Sequence, residues 1–92
     1  MQTVLRFPNP CRSFDASKGR VCFWGYDRAI EVSFFIEIDA LRLLSPAMRD
    51  MESGFLQTFD AEREQIHVLA TRIYQQESKG SYSHFISAKD VQ

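Results

Sequence analysis

Cys11 and Cys22, with His67 and His84, are the side chains in this sequence best suited to nucleophilic or metal chemistry. A thiol becomes a working nucleophile when a base or a positive neighbour holds it as thiolate, so a cysteine beside a histidine is the pairing to look for. Nothing in the spacing selects such a pair, and in a chain this small any two can be joined on paper. The cysteines lack a Cys-x-x-Cys arrangement, and neither histidine stands at metal-ligand spacing from the other or from a cysteine. No metal site is expected. The glycines at 19, 25, 54 and 80 stand singly and belong to no phosphate-cradling loop, so no nucleotide cofactor is expected either. Catalysis is not expected, and Cys22, in the middle of an apolar run, reads as a small packed hydrophobe.

Binding chemistry has two candidate sources. Glu62, Arg63, Glu64, His67 and Arg72 mix both signs along one helical segment, whose simplest use is a solvated face. The sharper use is an anion site in which Arg12, Arg63 and Arg72, beside Tyr82, offer guanidinium forks to a carboxylate or phosphate. The second source is aromatic. Cys22, Trp24, Tyr26 and Phe35 fall on one side of a pair of strands, and large side chains with a polar tip are favoured anchors at protein interfaces. Either a partner covers that side, or the N-terminal segment or the 8–19 loop folds over it.

The elements that position these residues follow from periodicity. Val4-Leu5-Arg6-Phe7 reads as an edge strand ended by Pro8-Asn9-Pro10, and residues 8–19 read as a loop. Arg20–Tyr26 and Ile30–Glu37 are β-branched and aromatic, with Tyr26-Asp27-Arg28-Ala29 between them, which predicts a β-hairpin. With Asp27 and Arg28 at its tip, Phe23 lies opposite Val32 and Val21 opposite Phe34. That puts Val21, Phe23, Ile30, Val32, Phe34 and Ile36 on the core face, and Arg20, Cys22, Trp24, Tyr26, Glu31, Ser33, Phe35 and Glu37 on the other. A short helix is predicted over Glu37–Leu44, stopping before Ser45-Pro46. Ser45 and Pro46 then suit the N-cap and first position of a second helical region running to about Gln76. Gly54 and Asp60 are its expected interruptions, with Asp60 capping a second helix if the region divides. Gly80 is expected to close the helical region, and Tyr82, Phe85 and Ile86 to form a last strand.

The predicted fold is α+β: a small, mainly antiparallel sheet of N-terminal strand, central hairpin and C-terminal strand, with two or three helices packed on one face. At 92 residues and 45% hydrophobic content the chain supports one core, so residues 1–92 are expected to form a single domain. The formal charge of −1 supplies no field to draw phosphate backbones or anionic lipid, and no nucleic-acid partner is expected. The longest apolar run, around Phe34-Phe35-Ile36, is far short of a membrane span, and Arg6, Pro8 and Pro10 interrupt the only candidate signal peptide. A cytoplasmic protein with reduced thiols is expected.

Several short motifs occur together and in order. Phe7-Pro8-Asn9-Pro10, Arg12-Ser13-Phe14-Asp15, Val21-Cys22-Phe23-Trp24-Gly25-Tyr26-Asp27 and Val32-Ser33-Phe34-Phe35-Ile36-Glu37 resemble the bacterial domain-of-unknown-function family 1488, with Gly80-Ser81-Tyr82 in the place of its final Tyr-containing strand. The resemblance spans nearly the whole chain. It implies the same fold and a bacterial cytosolic origin, and it brings no reaction and no catalytic residues. The expected function is a non-enzymatic interaction or regulatory module, either a homodimer, formed through the Trp24 and Tyr26 face or through the outer helix, or a module bound to another protein. A small anionic-ligand binder is the alternative.

Overall fold

The computed structural model describes residues 5–8, 12–77 and 83–92. Four strands and four helices follow in the order β1 (Arg12–Asp15), β2 (Arg20–Asp27), β3 (Ile30–Glu37), α1 (Ile38–Leu44), α2 (Glu52–Ala61), α3 (Arg63–Gln76), β4 (Ser83–Ile86) and α4 (Ala88–Val91). The strands form one sheet in the order β1-β2-β3-β4. The first three run antiparallel to their neighbours, and β4 pairs in parallel with β3. A parallel pairing needs a long crossover, which α1 to α3 supply. The fold is therefore α+β with helices laid on a mostly antiparallel sheet, as expected, but with four helices instead of two or three.

The hairpin forms, in a register two residues from the expected one. Phe23 pairs with Phe34 and Val21 with Ile36, and the turn is centred on Arg28 and Ala29. Arg28 takes φ 61, which lets a two-residue turn close. Because side chains alternate with period two, a shift of two leaves every residue on its expected face. Val21, Phe23, Val32, Phe34 and Ile36 are accordingly buried. Ile30 is the exception: it sits next to the turn, beyond the reach of the helices, and is 49% exposed.

The N-terminal strand requires correction. Among residues 5–8 only Arg6 pairs, in an isolated bridge with Tyr26, and the edge strand is Arg12–Asp15, inside the segment read as a loop. Arg6 pairs with Tyr26 and Arg12 with Phe23, so the isolated bridge and β1 lie along the same edge of β2. Val4, Pro10 and Cys11 lie outside the described residues.

Helix α1 forms where expected. Asp39 in its first turn and Arg42 in its last suit the helix dipole, and Ala40 and Leu41 are buried. Ser45-Pro46 does not open a second helix. Ser45 is the extended C-cap of α1, its N–H donating to the carbonyl of Leu41, and a turn follows before α2 starts at Glu52. The following region divides in two at Glu62. Asp60 caps neither half; it lies within α2 and pairs with arginines. Gly54, expected as a break, is buried within α2. Helix α3 buries Ile66, Leu69, Ala70, Ile73 and Tyr74, an i, i+3, i+4, i+7, i+8 stripe. The Gly80 cap falls outside the described residues. Helix α4 adds to the expected elements, and Ser87 and Asp90 open it with a capping box.

Candidate functional site

Alternation along the strands divides the sheet into two unlike faces. The core face packs against Phe55 and Phe59 of α2, the α3 stripe and Leu41 of α1. On the other face stand Ser13 and Asp15 of β1; Arg20, Cys22, Trp24 and Tyr26 of β2; Glu31, Ser33, Phe35 and Glu37 of β3; and Ser83 and Phe85 of β4. Among the described residues, neither segment that could have folded over this face does so. Leu5 and Phe7 pack on the helical side, where Phe7 lies against Phe23 and Phe34 and stacks on His67, ring centroids 3.9 Å apart. Residues 12–15 extend the sheet as β1.

The uncovered face is organised by its aromatic residues. Phe35 and Phe85, cross-strand partners, stack with centroids 5.2 Å apart and planes 20° apart, and Phe85 is 51% exposed. The Arg20 guanidinium lies 4.1 Å from the Phe35 ring centre and 5.4 Å from that of Phe85, within range of a cation–π contact. Asp15 holds Arg20 from the side, Nε to Oδ2 3.4 Å. The Ser17 hydroxyl, with help from the Lys18 amide and Arg20, keeps the Asp15 carboxyl below its usual pKa against an opposing desolvation. At the far end the Tyr26 hydroxyl donates to Glu31 Oε2 at 3.2 Å, and this bond raises its pKa. Burial raises the pKa of the Cys22 thiol, more than Arg20 lowers it. A raised pKa opposes formation of the thiolate, the form in which a cysteine acts as a nucleophile.

The expected interface residues Cys22, Trp24, Tyr26 and Phe35 thus share one face. Arg20, Glu31 and Phe85 join them, and were not singled out as site residues. Arg20 and Glu31 were legible on the hairpin, whereas Phe85 could be placed only once β4 was known to lie beside β3.

Of the arginines of the anion candidate, Arg12 and Arg63 come together, but on Asp60, and Arg72 stands apart. Arg12 grips Asp60 with two bonds, Nε to Oδ1 at 3.0 Å and a terminal nitrogen to Oδ2 at 2.8 Å, and Arg63 reaches Oδ1 at 2.6 Å. Arg72, nine residues beyond Arg63 and so about 13 Å along the helix, donates instead to the Asp90 carbonyl of α4 at 2.9 Å. Tyr82 lies outside the described residues.

The histidines occupy separate places. His67 is half-buried against Phe7, and desolvation, aided by Arg63, pushes its pKa down to about 4. A shallow apolar hollow of about 410 Å³ opens beside it, floored by Phe7, Val68 and Thr71. His84 is fully buried on β4, with Nδ1 against the Glu77 carboxylate and its ring edge-on to Tyr74. The Tyr74 hydroxyl donates to Asp27 Oδ2 at 2.5 Å, tying α3 to the end of β2. Among the described residues, no group of three or more histidine, cysteine, aspartate or glutamate side chains could hold a metal ion, and no helix is long and apolar enough to cross a membrane.

A two-layer α+β domain in which, among the described residues, one sheet face is left uncovered is the class that fold and site define. The family described as "Protein of unknown function (DUF1488)" matches residues 5–85, and the chain belongs to it. Among solved structures, a protein of unknown function from the same family, from Shewanella loihica, superposes with a TM-score of 0.74 over 90% of this chain and 93% of its own, at 16% identity. At that identity the likeness is one of fold. No curated protein matches the chain.

Proposed function

We propose that this protein is a non-enzymatic interaction module of the bacterial cytoplasm that docks another protein chain through the sheet face around Trp24. The observation that carries the reading is the stacked Phe35–Phe85 pair, with Phe85 half-exposed, on a face that no described helix packs against. Aromatic groups held rigid by their neighbours suit an interface, since little side-chain entropy is left to lose on binding. The raised pKa of Cys22 and its free, half-buried thiol support a structural cysteine in a reducing compartment. The anion-binding alternative, built on Arg12, Arg63, Arg72 and Tyr82, has less support, because Asp60 already takes the bonds of two of those arginines.

A photo-crosslinking residue placed at position 85 in bacterial cells tests the reading, with position 68 on exposed α3 as control. A discrete adduct from 85 and none from 68 is the expected result. No adduct at 85, or the same adducts from both positions, would overturn it.

A further inference from the structure

We infer that the partner is a second copy of this chain, packed sheet on sheet with its strands antiparallel to those of the first; this rests on the sheet face being the docking surface. The argument lies in the order of large and small side chains. Register places Cys22, Phe35 and Phe85 in one row across the face, and Trp24, Ser33 and Ser83 in the next. Each of β2, β3 and β4 therefore carries one large and one small residue at adjacent positions of the face, Trp24 with Cys22, Phe35 with Ser33, and Phe85 with Ser83. A two-fold axis lying in the interface, across the strands and between these rows, lays each row over the other row of the second copy. Trp24 then meets Cys22, Phe35 meets Ser33, and Phe85 meets Ser83, each contact occurring twice. Isologous interfaces require a surface complementary to itself, and inner faces of packed sheets interdigitate in this way.

The flanks agree with the same axis. Arg6, which pairs with Tyr26 and so shares its face, comes over Asp15 of the other copy, and Tyr26 comes over the position of Arg20 in the register. Glu31 and Glu37 meet at the exposed rim, the one like-charge encounter. The face measures about 27 Å along β2 and β3 and about 14 Å along the shorter β1 and β4, each strand about 4.8 Å wide, or roughly 400 Å² per copy. Standard interfaces bury about 800 Å² per partner. The dimer is therefore weak, with dissociation expected at roughly micromolar concentration.

The test is sedimentation equilibrium of the purified chain from about 1 to 500 µM, whose monomer is 10.7 kDa. A monomer–dimer equilibrium is expected. Cys22→Trp, which fills the hole that receives Trp24, and Trp24→Cys, which removes the knob, should each raise Kd at least about tenfold. The double variant Cys22→Trp with Trp24→Cys exchanges knob and hole and should recover most of the loss, an outcome that misfolding cannot imitate. Glu31→Gln should tighten the dimer. A monomer throughout, or a dimer indifferent to these substitutions, would overturn the inference. If position 85 still crosslinks to a different protein, the docking surface stands and the homodimer alone falls.

Discussion

A methyl group added at Gly54 would meet the Arg49 carbonyl oxygen well inside van der Waals contact, whereas one added at Gly25 would meet the Phe7 ring edge, Cε1 at 2.7 Å. Backbone in the turn before α2 cannot yield without unseating the helix start, but a ring at the margin of the core can rotate. Gly54→Ala is expected to cost about 3 kcal/mol or more and Gly25→Ala about 1–2 kcal/mol, in urea denaturation followed by circular dichroism. His67 gives a second test. Its pKa of about 4 in the folded chain lies below the usual 6.5. Above pH 6.5 the ring is neutral in both states and its contribution is fully present. As pH falls from 6.5 toward 4 the unfolded chain takes up the proton and the folded chain does not, so stability is lost across that window. With the ring half-exposed, screening reduces the loss to about 1–2 kcal/mol. Denaturation at pH 7 and pH 5 should show it, and His67→Phe, which keeps an aromatic ring against Phe7, should remove it.

At the scale of elements, a few polar ties join the sheet to the helices. Asp60 links β1, through Arg12, to the α2–α3 junction, through Arg63, with all three side chains about a third exposed. Asp60→Asn is expected to cost about 1 kcal/mol at low salt and less in 1 M NaCl, where an ion pair this exposed is screened. Tyr74→Phe removes a buried hydroxyl bonded to the Asp27 carboxylate and should cost about 2 kcal/mol with little dependence on salt. These ties were invisible in the sequence, because Asp60 and Arg12 are 48 residues apart and Tyr74 and Asp27 47. What was legible is what local periodicity controls: the hairpin, α1, the α3 stripe and β4. Two of the differences share one cause, competition between local signals. Ser45-Pro46 suits a helix start, but Leu41 takes the Ser45 amide as the end of α1. Arg12–Asp15 sits among turn formers, and becomes a strand because Phe14 packs on Phe55 and its backbone completes the β2 ladder.

For the molecule as a whole, the helices and the buried half of the sheet form one core, and among the described residues the opposite face stays outside it. The aromatic alternation of β2 and β3 revealed this division from sequence. The row of large and small residues did not emerge until β4 was placed, since Ser83 and Phe85 complete it only through a parallel pairing with a strand some 50 residues earlier. That asymmetry has a direct consequence for stability. Phe34 is fully buried on the core face and Phe35, its neighbour, points the other way to stack on Phe85. Phe34→Ala removes a core side chain and leaves a cavity, at a cost of about 3–5 kcal/mol, a large part of the roughly 5–14 kcal/mol that holds a domain of this size together. Phe85→Ser gives up only a half-exposed stack and should cost no more than about 1 kcal/mol. Denaturation at protein concentrations below 1 µM, beneath the expected dimer dissociation, isolates the monomer. The two phenylalanines should then differ by several kcal/mol there, and the gap should narrow at high concentration, where Phe85 is also buried against the second copy.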